Sequence, residues 1–110
     1  MPKFLTIGYG DEAGYNRTPA AIRDAAHSHD ARLREAGAII GIAGPPAQVR
    51  NPEGRGIQTT AGAFMRSDLP IAGFALIDAE NVEDAINQVA QTRCAVAYGV
   101  VEIWPLESVL

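Results

Sequence analysis

Eight mostly apolar residues, Ile71 to Asp78, stand between Pro70 and the polar Asp78-Ala-Glu-Asn81. A run of that length, bounded by a proline and a polar cluster, is the pattern of a buried strand. A helix signal follows at once. Asn81 can cap it, Glu83 and Asp84 fall in the first turn where acids complement the helix dipole, and Arg93 falls near its end. Val82, Ala85, Ile86, Val89 and Ala90 recur at i, i+3, i+4, i+7 and i+8, a clear amphipathic stripe. The rest of the chain can be read as packing onto this strand and helix pair.

The same pair occurs earlier. Lys3 to Tyr9 alternates, with Leu5, Ile7 and Tyr9 on one face and Phe4, Thr6 and Gly8 on the other. Gly10 to Arg17 combines two glycines, Asn and charges, which is loop chemistry. Thr18 can cap a helix that has Pro19 at its first position and runs to about Glu35, with Gly37 as a left-handed cap. Ile22, Ala26, His29, Leu33 and Ala36 form its apolar stripe, so His29 faces inward and His27 outward. Asp30 and Arg34 are spaced for a surface ion pair.

Ala38 to Ala43 reads as a central strand stopped by Gly44-Pro45-Pro46. Gln48 to Asn51 and Ile57 to Ala61 read as weaker strand pieces joined by the Pro- and Gly-containing residues 51–56. Gly62 to Pro70 is a second loop. Tyr98 to Trp104 is the last strand, halted by Pro105, and residues 106–110 form a short tail. Two strand-helix-strand halves in this order predict an α+β, ferredoxin-like domain with an antiparallel sheet and both helices on one face. The uncovered sheet face would carry Phe4 and Trp104 with their neighbours, so the chain is expected to form a homodimer through that face.

At 110 residues the chain is expected to form one domain, spanning 1–110. Its net charge is -4, and its eight Arg and single Lys are scattered, which argues against nucleic acid or an anionic membrane as a partner. Cys94 is alone, so no internal disulfide or thiolate cage can form, and a cytoplasmic location fits best. The N-terminal apolar segment is too short for a signal peptide, and the apolar runs are about half of the ~20 residues that a membrane helix needs.

Candidate site residues are few. His29, on an apolar stripe, can serve as a general base or can be a core histidine bonded to a carbonyl or water. Asp11 and Glu12 can orient that imidazole or be solvated loop acids; Tyr9 and Tyr15 can offer hydroxyls or pack; Gly62 can admit a ligand or serve a positive-φ turn. His27 and His29 diverge too far around a helix to share an ion, so no metal is expected. Gly8-Tyr-Gly10 lacks the spacing of a dinucleotide fingerprint, there is no phosphate loop, and Cys94 has no base beside it.

Taken together, Lys3-Phe-Leu-Thr-Ile-Gly-Tyr-Gly-Asp-Glu12, Leu33-Arg-Glu-Ala-Gly37, Ala61-Gly-Ala-Phe64, Gly73-Phe-Ala-Leu-Ile-Asp78, Glu83-Asp-Ala85 and Val101-Glu-Ile-Trp-Pro105 resemble the YCII-related proteins, in the branch named for its DGPF motif. The resemblance implies a dimeric ferredoxin-like domain of the dimeric α/β-barrel type. It also implies a family mostly without known function, a few of whose members are tied to lyase or dehydrochlorinase chemistry through a histidine on the first helix paired with an acid. Here Ala61 and Ala63 stand at the motif's Asp and Pro, while Gly62 and Phe64 remain. The following Glu, Lys and Glu are Arg66, Asp68 and Leu69, and the helix histidine falls at Ala26, one turn from His29.

The expected function is that of a small homodimer binding an organic molecule in a cleft between the first helix, the first strand and the Gly62 loop. His29 would act as base without a cofactor, Asp11 or Glu12 would orient it, and Tyr9, Tyr15, Gly62 and Phe64 would contact the ligand. The alternative is a structural or regulatory interaction module without catalysis.

Overall fold

Two strand-helix-strand units interleave in one antiparallel sheet. The structure, a computed structural model, describes residues 1–108; residues 109 and 110, the end of the expected tail, lie outside the described residues. The elements are β1 (Lys3–Tyr9), α1 (Glu12–Arg17), α2 (Ala20–Glu35), β2 (Ile39–Ile42), β3 (Ala47–Arg50), β4 (Gln58–Ala61), β5 (Ile71–Asp78), α3 (Val82–Val89), α4 (Arg93–Val96) and β6 (Val100–Pro105). The main sheet has the order β2-β5-β1-β6, so β5 fills the gap between β1 and β2, and β1 fills the gap between β5 and β6. This α+β arrangement, a four-stranded antiparallel sheet with helices, is compatible with a ferredoxin-like fold.

Register decides which side chains the helices cover. Phe4 faces Ile77, Thr6 faces Ala75 and Gly8 faces Gly73 across the β1–β5 pair. Phe4 is 3% exposed and joins Ile77, Ala79, Ala85 and Val89 in the core beneath α3. Phe4 is therefore on the helix-covered face, not on the bare one. The expectation that grouped it with Trp104 fails because Trp104 pairs with Leu5, one residue out of step, and side chains alternate faces along a strand. The bare face carries Leu5, Ile7, Tyr9, Phe74, Leu76 and Trp104, with Trp104 53% exposed.

Several local expectations are corrected. The presumed loop after β1 contains α1, because Asp11 caps it by accepting from Gly14 N at 2.8 Å, Glu12 sits in its first turn and Arg17 in its last. Gly14 lies under the turn after α4, where a Cβ would come within 2.5 Å of Ala97 O, so only glycine lets α1 lie this close. Thr18 does not cap α2: its hydroxyl donates back to Gly14 O at 2.8 Å, and Pro19 occupies the cap position without a side-chain bond. Asn81 does cap α3, accepting from Asp84 N at 2.8 Å. That helix ends at Val89, so Arg93 opens α4 instead of closing α3, and the last strand starts at Val100 because Tyr98 adopts a left-handed φ of 62°.

β3 and β4 form a separate two-stranded hairpin whose residues are nearly all exposed. It stands off the body, and the radius of gyration of 15.8 Å exceeds the roughly 13 Å typical of a chain this long. No helix of the described residues is long and apolar enough to cross a membrane.

Lys3 Nζ donates to Asp78 Oδ1 at 2.8 Å, tying the ends of β1 and β5 and holding the Asp78 carboxyl below its ordinary value. A carboxyl whose folded pKa is depressed contributes stability above its unfolded pKa and loses it as pH falls through the folded one. Asp78→Asn should therefore melt slightly below the parent at neutral pH, and the two curves should converge in acid. Because both side chains are solvated, added salt should shrink the difference.

Candidate functional site

The helix-facing side chains of the two central strands taper in step. Along β1 they run Phe4, Thr6, Gly8, and along β5 they run Ile77, Ala75, Gly73, each opposite its counterpart of similar size. At the Phe4 end the space under the helices is filled. At the Gly8 end almost no side-chain volume rises from the sheet, and a cavity of about 460 Å³ remains between sheet and helices. That is within the range of small-molecule sites. Leu33 and Asp30 of α2 form its roof, Glu12 and Tyr15 of α1 stand at one side, and Arg93, Cys94 and Ala97 of α4 close another.

Its most buried polar group is Asp30, only 6% exposed. Its partner is Arg93, whose Nε lies 3.3 Å from Asp30 Oδ2, and not Arg34 as the helix spacing alone predicts. Tertiary packing overrides the local pair: Asp30 follows Ala26 by four residues and precedes Leu33 by three, which places it on the inward stripe, and α4 brings Arg93 over it. Cys94 sits against Gly8, and burial pushes its thiol up, with Arg93 opposing and Asp30 adding to the shift. The group is a protonated thiol at neutral pH, not an activated nucleophile.

No family model and no curated protein matches this chain.

Of the residues singled out from sequence, Asp11, Glu12 and Tyr15 share the cavity wall. Tyr15 OH lies 3.0 Å from His27 Nε2, and the Arg23 guanidinium stands 4.9 Å over the Tyr15 ring, so the mouth of the cavity is built by contacts between α1 and α2. The other four stand elsewhere. His29 turns toward α3, where its Nε2–H donates to the carbonyl of Gln88, and it is not on the cavity wall. Tyr9 lies on the bare sheet face, donating to Glu102 Oε1 at 2.6 Å, and that bond to the carboxylate raises its phenol pKa. Gly62, with φ of 97°, and Phe64, with the Arg50 guanidinium 5.6 Å from its ring, belong to the hairpin. The expected cleft is thus closed by β2, β5 and α4 rather than by the Gly62 loop.

Asp30, Arg93 and Cys94 are wall residues that the sequence pattern gives no site role. A charge on the stripe that also holds Ala26 and Leu33 was the available signal for Asp30. Nothing local marks Arg93, which reaches the cavity only because α3 stops at Val89. Among the described residues no three His, Cys, Asp or Glu side chains converge on a metal-sized site.

Proposed function

We propose that this chain binds a small, largely apolar organic molecule in the cavity between α2 and the sheet, and does so as a homodimer of the YCII-related, dimeric ferredoxin-like type. The observation that carries the reading is the paired taper toward Gly8 and Gly73, which leaves unfilled volume where a domain this small would otherwise close-pack its core. Strand order and antiparallel pairing support the ferredoxin-like assignment. The apolar bare face supports self-association, and a lone cysteine suits a reducing cytoplasm.

Binding without histidine-driven catalysis is the form of the proposal that fits the geometry. The Nε2–H of His29 is engaged by Gln88 O, and His29 has no surface on the cavity. The second reading, a non-catalytic interaction module, draws support from Ala61 and Ala63 at the motif and from the exposed Val49, Ile57 and Phe64 of the hairpin region.

The two readings part on one substitution. Ala75→Phe places a ring in the cavity from the sheet floor, and the variant should fold with little change in melting temperature. It should lose the thermal stabilisation that a neutral apolar probe such as 2-phenylethanol gives the parent. A parent that gains no stability from the probe, or a variant that gains as much, would favour the interaction module.

A further inference from the structure

Three carboxylates, Asp11, Glu12 and Asp30, stand on the cavity wall against one guanidinium, Arg93, with no lysine or histidine among them. The one cation is already engaged, since Arg93 Nε faces Asp30 Oδ2 at 3.3 Å. Asp30 is more than nine-tenths buried, lines the cavity, and has Arg93 as its one ion-pair partner among the described residues. Asp11 uses Oδ1 to cap α1, and Glu12, exposed at the mouth, has no ion-pair partner among the described residues. Arg23 is a further cation near the mouth: its guanidinium stands 4.9 Å over the ring of Tyr15, a wall residue, although Arg23 itself does not line the cavity.

Three carboxylates against one guanidinium give the wall a formal charge of two negative, in a partly enclosed space where low-dielectric walls strengthen the field. An organic anion entering would meet carboxylates at the mouth and a guanidinium that Asp30 already neutralises. A cation gains on both counts. We infer that the ligand is a small apolar amine in its protonated form. Its hydrocarbon part lies over the Gly8 and Gly73 floor and its ammonium donates to Asp30 Oδ1, while Oδ2 keeps Arg93. Glu12 adds long-range attraction at the entrance. A charge-assisted donor to a largely buried carboxylate is the strong kind of hydrogen bond, and here it would add to the Arg93 contact rather than replace it.

This assignment rests on the cavity being the binding site, and the test separates the two claims. Three probes of one skeleton, 2-phenylethylamine, 2-phenylethanol and 3-phenylpropanoate, are titrated calorimetrically into the full chain at neutral pH. The amine should bind at least about tenfold tighter than the alcohol, with the carboxylate weakest. Glu12→Gln, at an exposed position, should weaken the amine severalfold more than the alcohol and flatten the salt dependence of amine binding. Asp30→Asn should remove the preference for amine over alcohol, with retained alcohol binding reporting an intact fold. Equal binding of all three probes, tighter binding of the carboxylate, or an amine preference that survives both substitutions would overturn the charge assignment and leave the cavity reading standing. No binding of any probe would overturn both.

Discussion

Arg93→Met is expected to lower the unfolding free energy by about 2–3 kcal/mol, seen as a reduced urea midpoint at unchanged slope. Removing the guanidinium leaves Asp30 charged and almost fully buried with no counter-ion. Breaking a fully buried pair costs about 3–5 kcal/mol, and the lower figure applies here because the Arg93 side chain is 37% exposed and water replaces part of its contribution. The diagnostic is the double variant. Asp30→Leu with Arg93→Met removes both charges and places an apolar side chain beside Leu33, so it should be more stable than Arg93→Met alone, with a coupling above about 1 kcal/mol. Additive losses would mean that the two side chains do not depend on one another.

Trp104→Glu is expected to weaken the proposed self-association at least about a hundredfold, read by sedimentation equilibrium, while leaving the monomer folded. Trp104 lies on the bare face beside Leu5, where a charge would be desolvated by a partner but is tolerated by solvent in the monomer. The polar pair on that face needs no further partner, because Tyr9 already donates to Glu102. Phe4→Ala is the contrasting substitution. It empties a buried position under α3 and should cost about 3–5 kcal/mol of fold stability, so its effect is on unfolding rather than on assembly. A parent chain that stays monomeric at high concentration, or a dimer unmoved by Trp104→Glu, would remove the sheet face as the interface.

The elements of this fold are legible in residue pattern because each is encoded locally. The period-two alternation of Lys3 to Tyr9, the bounded apolar run of Ile71 to Asp78 and the Asn81 cap all appear where expected. What escapes is set between elements. The sizes Phe4, Thr6, Gly8 can be read along one strand, but that they lie opposite Ile77, Ala75 and Gly73 is a matter of register, and the cavity exists only because small meets small. The face that carries Phe4 follows from the same register, since β1 and β6 pair with Leu5 opposite Trp104. α1 looked like a loop because Gly14 is a poor helix former, and its requirement for close approach to Ala97 is visible only once α4 is in place.

The site divides along the same line. Asp11, Glu12 and Tyr15 are neighbours in sequence and stay neighbours on the wall, whereas Asp30 and Arg93 meet across 63 residues because α3 ends early and α4 turns back over α2. His29 is half-buried, and its direction toward Gln88 rather than toward β1 depends on where α3 packs.

The most direct check on the central claim, that the space above Gly8 and Gly73 accepts a ligand, is a methyl-resolved NMR titration of the full chain with 2-phenylethanol. The account predicts saturable shifts at Leu33, Ile40, Ala75, Ala97 and Val101, all on the cavity wall, with Val82 and Ile86 on the outer side of α3 unmoved. Shifts that fail to saturate, or that gather at Val49 and Ile57 on the hairpin while the wall methyls stay still, would contradict it.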